Sequence, residues 1–178
     1  KNDWYMIPET SANKTVELWK CTDFPTQWEK HSNLLKDIEA VDTTPFYHEG
    51  MWYLFTSTRR HCKKFGDRLD LFYTEDILQP DWKEHPQNPV CKGHQQFRMA
   101  GKPFTYNSKL VRPSQDSLKR YGGNIELKEI IKLSPTEYQE QLLEVVLPHW
   151  NNQDDGCHTI NAKDNFVVLD AIRLSPKV

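Results

Sequence analysis

Residues 50–57 read Gly50-Met51-Trp52-Tyr53-Leu54-Phe55-Thr56-Ser57, a turn glycine followed by a short run of aromatic and apolar residues. A diverged copy of this run occupies residues 3–10, and a fainter copy occupies residues 107–113. A second matched run follows each copy, at residues 69–74, 16–21 and 125–130 respectively. Each of these leads to a proline and then an aromatic residue: Pro25 and Trp28, Pro80 and Trp82, Pro135 and Tyr138. Short strands that repeat with a period of about 50 residues are typical of β-propeller blades.

The repeat predicts an all-β protein that forms a partial propeller, a single domain over residues 1–178. Residues 41–95 and 96–150 each supply four strands, A to D, and therefore a complete blade. Residues 1–40 lack strand A, and residues 156–173 lack strands C and D. An open propeller exposes unpaired strand edges, which invite association. We therefore expect either missing upstream blades or a homo-oligomer.

The overall composition excludes several classes of partner. A formal charge of −2, with both signs interspersed, argues against nucleic-acid binding. No apolar run approaches the roughly 20 residues of a membrane span. The four cysteines lack metal-finger or redox spacing, and no glycine loop for phosphate is present. We predict no metal, no cofactor and free thiols in a reducing, cytoplasmic compartment.

Three local patterns predict finer details. The capping box Ser134-Pro135-Thr136-Glu137 predicts one short helical turn. Trp28 and Trp82 occupy the same place in the repeat, so we expect both to pack between blades. His48 and His85 lie in or near turns, which predicts solvent-exposed side chains.

The polar residues predict where a site would lie. Strand A is the innermost strand of a propeller blade, and in an antiparallel blade its start lies beside the end of strand B. Strand interiors elsewhere read as apolar, so a polar ring at these places predicts a central funnel. Its predicted members are Glu9, Asp42, Thr43, residues 56–58, Arg98, Gln115, Asp116 and His158.

Two interpretations of this ring follow from the residues alone. Glu9 and Asp42 are paired carboxylates, which glycosidic bond cleavage requires, one as acid and one as base or nucleophile. Alternatively, the ring is structural and satisfies itself through pairing of aspartate with arginine, as in an interaction scaffold.

The sequence also resembles a known domain. The similarity lies in Arg98-Met99-Ala100-Gly101 and in residues 4–10, 23–28, 85–90, 112–116 and 121–122. These residues resemble a five-bladed propeller domain that is N-terminal in glucosamine inositolphosphorylceramide transferase-like proteins of plants, beside glycosyltransferase and formyltransferase modules. The domain is distantly similar to glycoside hydrolases of the arabinanase, xylosidase and fructosidase type.

The resemblance implies a carbohydrate-related funnel. Asp42 matches the hydrolase aspartate that tunes a pKa, and Glu9 is a loose analogue of the acid. Arg98 and His158 stand where the hydrolases have inner-strand carboxylates, so the resemblance implies binding of a sugar or glycoconjugate more than catalysis by this chain alone. We predict Arg98 as the anchor and Tyr121 as a stacking ring. The other predicted contacts are Gln115, Asp116 and His158.

Overall fold

The computed structural model describes residues 3–61, 65–79, 81–93, 97–118, 120–148, 150 and 154–173, and they form antiparallel β-sheets with short connections. One 3-10 turn at Ser11–Asn13 is the sole helical element in this part of the chain. No helix among these residues is long and apolar enough to cross a membrane. The all-β class predicted from the repeat is confirmed.

The first sheet contains three strands in the order β1-β2-β3. Their bounds are β1 (Tyr5–Met6), β2 (Thr15–Asp23) and β3 (Gln27–Lys36). The short β1 pairs with the far end of β2, with Tyr5 opposite Lys20. β1 is therefore one free edge of this sheet and β3 is the other.

The second sheet follows the predicted order of strands A to D. It contains β4 (Ala40–His48), β5 (Met51–Thr58), β6 (Arg68–Thr74) and β7 (Lys83–Glu84), and β8 (Cys91–Lys92) also pairs with β6. Glu49 and Gly50 both have positive φ, the backbone of a type I′ hairpin turn. Because β5 is covered on both faces, its side chains form a continuous buried run rather than an alternating one.

The third sheet has the same order, from β9 to β12. It contains β9 (Phe104–Tyr106), β10 (Lys109–Asp116), β11 (Asn124–Leu133) and β12 (Tyr138–Val146). The predicted strand over residues 98–106 is interrupted: an isolated bridge joins Met99 to Ser114, and β9 begins five residues later.

The predicted helical turn at residues 134–137 is wrong. The Ser134 hydroxyl does accept hydrogen bonds from the backbone N–H groups of Thr136 and Glu137, as a capping residue would. However, Ser134 N–H donates to the Glu137 carbonyl at 2.9 Å, which closes a hairpin. Leu133 pairs with Tyr138 across this turn, so the pairing of β11 with β12 overrides the local helix signal.

Two short pairs of strands complete the described chain. They are β13 (Asp154–Gly156) with β16 (Ile172–Arg173), and β14 (Ile160–Lys163) with β15 (Phe166–Leu169). β14 lies against the third sheet at Gly101, where a Cβ atom would come within 2.0 Å of the Ile160 carbonyl oxygen. Gly101 also has φ of +147°, so glycine is required there by both space and backbone conformation.

The apolar core consists of three clusters, each between consecutive layers. One lies between the first and second sheets around Leu18, Leu54 and Phe72. The next lies between the second and third sheets and includes Phe55 and Tyr138. The last, around Leu127, Cys157 and Ile160, joins the third sheet to the C-terminal strands. The sheets therefore pack face to face in chain order.

The expectation that other strand interiors are apolar is wrong, most clearly at Arg112. This side chain is fully buried, and its Nε and Nη2 each donate to Glu140 at 2.7 Å. Tyr138 and Cys91 also donate to the same carboxylate. Burial alone would raise the pKa of Glu140, but the Arg112 charge and these hydrogen bonds lower it to about 2. The charges are tolerated because they are paired and hydrogen-bonded.

The two matched tryptophans differ in environment. Trp82 packs against the cluster between the first and second sheets, as predicted. Trp28 is instead half-buried at the β2–β3 turn, where its indole N–H donates to the Pro25 carbonyl at 2.9 Å. The prediction is therefore right for Trp82 and wrong for Trp28, because the tight β2–β3 hairpin keeps Trp28 at its own turn.

His85 is buried, contrary to the expectation of an exposed histidine. Its side chain bridges two sheets, with Nε2 3.1 Å from the Ser134 carbonyl oxygen, and its Nδ1 accepts from the Gln87 N–H at 3.2 Å. These contacts require the neutral ring with its proton on Nε2. Burial lowers the pKa of His85.

We expect this histidine to make stability depend on pH. Its folded-state pKa lies below the ordinary value of about 6.5. Its contribution is therefore fully present above pH 6.5 and declines as the pH falls below that value. Thermal melts of wild type and His85→Gln at pH 7.5 and 5.5 measure the effect. The wild type should lose more stability on acidification than the variant, and equal losses would contradict the assignment.

Candidate functional site

An ion pair joins the second and third sheets at the predicted funnel. Arg98 donates from Nε to Asp42 Oδ2 at 2.5 Å and from Nη2 to Asp42 Oδ1 at 3.1 Å. Each side chain remains about one-fifth exposed. This is the two-pronged geometry in which arginine binds a carboxylate most strongly. The structure thus brings these two predicted residues into contact from different sheets.

Asp42 reaches this position through a β-bulge. The pairing of β4 with β5 shifts register between Val41 and Thr44, and Asp42 has φ of +53°. Aspartate is among the few non-glycine residues that adopt this left-handed conformation readily. A bulge re-aims a side chain out of the regular alternation of a strand, which accounts for how a strand residue meets Arg98.

Glu9 lies in the same neighbourhood. It is exposed, and it lines a small cavity of about 100 Å³ together with Thr10, Asp42 and Thr43. Burial alone would lower the pKa of Arg98, whereas Asp42, and more weakly Tyr121 and Glu9, raise it. The guanidinium is therefore held in its charged form among oxygen groups.

Two aromatic rings extend the site on the side of the third sheet. The Arg98 guanidinium lies 5.3 Å from the centre of the Tyr121 ring, a cation–π contact. Tyr121 in turn meets the His158 ring edge-on, with 5.3 Å between centres. Tyr121 is more than half exposed, so part of its surface is open to a ligand. We call Glu9, Asp42, Arg98, Tyr121 and His158 the Arg98 cluster.

Asp170 contacts His158 of the Arg98 cluster, and the sequence did not predict it as a site residue. Its Oδ1 accepts the backbone N–H groups of His158 and Thr159 at 2.9 and 2.7 Å, and Oδ2 forms an ion pair with His158 Nδ1. Burial alone would raise the pKa of Asp170, but these hydrogen bonds and the His158 charge lower it. The sequence feature that could have indicated it is its position near the end of strand B, the second strand predicted in residues 156–173.

Gln115 and Asp116 form hydrogen bonds to the backbone and to neighbouring residues rather than to the side chains of the Arg98 cluster. Gln115 is buried; its N–H donates to the Arg98 carbonyl at 2.9 Å and its Nε2 to the Met99 carbonyl at 2.8 Å. Asp116 accepts from the Leu118 N–H at 3.1 Å and from Asn124 Nδ2 at 3.4 Å. Gln115 thereby fixes the backbone that carries Arg98, and Asp116 orders the next turn.

A larger cavity adjoins the small one. It has a volume of about 570 Å³, and its wall takes residues from the first and second sheets, from the segment that precedes β9 and from β14. Ile7 and Thr43 belong to both cavities. Gly101 lies in the segment before β9, and Asn161 lies in β14. The inner segments of successive layers therefore converge on one space.

The cluster suits recognition of hydroxyl groups. It offers guanidinium donors, a carboxylate acceptor on Glu9 and a flat ring on Tyr121. The Asp42 oxygens already accept from Arg98, which limits Asp42 as a base or nucleophile. Among the described residues, no three His, Cys, Asp or Glu side chains are grouped so as to hold a metal ion.

Comparison with known proteins identifies relatives across the chain. The family described as "Glucosamine inositolphosphorylceramide transferase 1, N-terminal" matches residues 1–176. Glucosamine inositolphosphorylceramide transferase 1 of Oryza sativa subsp. japonica is 34% identical over 143 residues, which are 79% of this chain and 19% of that protein. The Arabidopsis thaliana protein of the same name is 34% identical over 140 residues, 76% of this chain and 18% of that protein. The chain thus spans about a fifth of the length of these curated relatives.

Proposed function

This chain belongs to the family of N-terminal domains of glucosamine inositolphosphorylceramide transferase 1, and from that premise we propose that it binds a sugar or glycoconjugate at the Arg98 cluster. The observation that carries the proposal is the contact of Arg98 with the exposed ring of Tyr121 and with Asp42, which itself lines the small cavity beside Glu9. The relatives carry the name glucosamine inositolphosphorylceramide transferase 1, in which glucosamine is a sugar, and this supports a carbohydrate-related role.

We further propose that the sheets are blades of a five-bladed type of propeller that is incomplete within this chain. The second and third sheets share one strand order. Apolar clusters join successive layers face to face, and the inner segments converge on one cavity. Closed propellers have the same arrangement of layers around an axis.

Recognition at the cluster follows from the chemistry of arginine. The planar guanidinium can hold two vicinal hydroxyls, or a carboxylate, in parallel hydrogen bonds. Its bond to Asp42 fixes the side chain beforehand, so little conformational entropy is lost on binding. Tyr121 presents an exposed ring beside it, and its position fits stacking on the apolar face of a sugar.

Arg98→Ala should abolish sugar binding at the Arg98 cluster, while Arg98→Lys should weaken it because lysine keeps the charge and loses the fork. NMR titration with a panel of neutral, amino and uronic sugars, followed at the Tyr121 ring signals, measures the affinity of this site, and melting curves confirm folding. The control is Arg59→Ala, which removes an exposed arginine paired with Glu39. An undiminished response of the Tyr121 ring signals in folded Arg98→Ala would contradict the assignment.

A glycoside hydrolase is the second candidate, because Glu9 and Asp42 line one cavity. Catalysis requires one of these carboxylates to act as base or nucleophile. Asp42 could take this role only after releasing its hydrogen bonds to Arg98. The test is release of nitrophenol from nitrophenyl arabinoside, xyloside and fructoside. Activity in wild type that is lost in Glu9→Gln supports hydrolysis, and no release above buffer rejects it.

The third possibility is that the chain associates through its open edges. β15 carries the exposed residues Phe166, Val167 and Val168 on one edge, and Trp4 is exposed beside β1 on the other. Edge strands of monomers usually carry charges instead. We propose that another copy, or further sequence, covers these edges. Light scattering of the 178-residue chain should show a mass above the monomer, and a clean monomer at high concentration would count against self-association.

A further inference from the structure

A third cavity lies at the outer strands of the first and second sheets, and none of its wall residues belongs to the Arg98 cluster. It has a volume of about 480 Å³, within the range of small-molecule sites. The wall takes residues from β3, from β6 and from the segment that leads into β7, each near the outer side of its sheet. We call it the outer cavity. Its relevant wall residues are Ser32, Asn33, Arg60, Phe72, Trp82 and Glu84.

Three of these residues carry a buried polar atom with no hydrogen-bond partner among the described residues. The atoms are Ser32 Oγ, Asn33 Oδ1 and Trp82 Nε1. Burying such a group unsatisfied costs about 1–3 kcal/mol, so three in one wall are unusual for a purely structural surface. Each atom is closed to solvent, so a ligand in the outer cavity would contact it only if its side chain rotates.

The charged groups of this wall are largely neutralised. Arg60 Nη1 donates to Glu84 Oε1 at 2.6 Å, and the Arg60 guanidinium also lies 5.9 Å from the centre of the Phe72 ring. Lys36, the other charged wall residue, is exposed. The unsatisfied atoms are neutral, and they comprise one donor, one acceptor and one hydroxyl that can act as either.

We propose that the outer cavity binds a neutral, hydroxyl-rich ring such as a hexose or cyclic polyol, independently of the Arg98 cluster. Hydroxyls both donate and accept, so neighbouring hydroxyls match the indole N–H and the amide oxygen together. The aromatic rings of Trp82 and Phe72 supply an apolar surface for the C–H face of such a ring. An extended peptide pairing with the free edge of β3 would use backbone groups and leave the three side-chain atoms unsatisfied.

Trp82→Phe isolates the donor, because it removes the indole N–H and keeps an aromatic ring. Ser32→Ala removes a second polar atom with little change in volume. Each should weaken binding by about fivefold, the equivalent of one neutral hydrogen bond. Ser32→Ala should not lower the melting temperature of the free protein, because removing an unsatisfied polar atom is not destabilising in itself. Trp82→Phe also removes part of a ring that packs against the cluster between the first and second sheets, so its melting curve is recorded and its binding is compared at a temperature at which it is folded. The matched control is Trp28→Phe, which changes a tryptophan bonded to its own turn.

The probes are glucose, galactose, mannose and inositol, each titrated by ligand-observed NMR. Each substitution is made in wild type and in Arg98→Ala, so that failure of the Arg98 cluster to bind sugar is separated from failure of the outer cavity. Weakened binding by Trp82→Phe and Ser32→Ala, in both backgrounds, with Trp28→Phe unchanged, supports the proposal. Affinity equal to wild type in folded Trp82→Phe and Ser32→Ala, or no binding of any probe to Arg98→Ala, overturns it.

Discussion

Arg112→Ala should lower the free energy of unfolding by about 3–5 kcal/mol, one of the two largest effects we expect from a single substitution. The guanidinium is fully buried and holds both oxygens of Glu140. Removing it leaves a buried carboxylate without its counter-charge, although the bonds from Tyr138 and Cys91 remain. The loss reflects this uncompensated charge more than the value of the pair itself.

Chemical denaturation at neutral pH measures the effect of Arg112→Ala. The control Arg59→Ala breaks an exposed pair with Glu39 and should change stability by less than about 1 kcal/mol. A second variant, Arg112→Met with Glu140→Leu, replaces the pair with apolar groups and should recover much of the loss. A small effect of Arg112→Ala together with no recovery in the double variant would show that the pair is not buried as described.

The second large effect is expected at Trp82. Trp82→Ala should cost about 3–5 kcal/mol, because it removes a partly buried ring that packs against the cluster between the first and second sheets. Trp28→Ala is the matched control: Trp28 is half-buried, hydrogen-bonds within its own turn, and should cost distinctly less. Thermal melting and chemical denaturation of both variants measure the two losses of stability. Equal losses, or a near-native melt of Trp82→Ala, would contradict the packing of these sheets.

The sequence predicted strands and turns best where the signal was local. Gly50 was expected in a turn, and both Glu49 and Gly50 have positive φ. The capping box at residues 134–137 was misleading because the pairing of its flanking strands, a tertiary effect, decided the conformation.

Burial was harder to predict from sequence than pairing. His85 was predicted to be exposed because it lies in or near a turn, yet it bridges two sheets. Arg112 and Glu140 stand 28 residues apart in different strands. Nothing in the pattern of either strand indicates that a charged residue is buried opposite its partner.

The sequence predicted that Asp42 and Arg98 lie on one face, but it did not predict the individual contacts of the site residues. The strand arrangement placed Asp42 and Arg98 together, and they form an ion pair. The bulge that turns Asp42 toward Arg98 has no signature in the sequence. Gln115 was predicted to contact a ligand; its side chain is buried and its Nε2 donates to the Met99 carbonyl, a contact that the sequence does not indicate.

The most direct measurement of the central claim is the NMR signal of the Arg98 Nε–H group during titration with the tightest-binding sugar of the panel. This group donates to Asp42 in the free protein, so a ligand held by the guanidinium must alter its environment. We predict that the Arg98 Nε–H and the Tyr121 ring signals shift together and saturate at one concentration. An unmoved Arg98 signal at a sugar concentration that saturates binding elsewhere would contradict the proposed site.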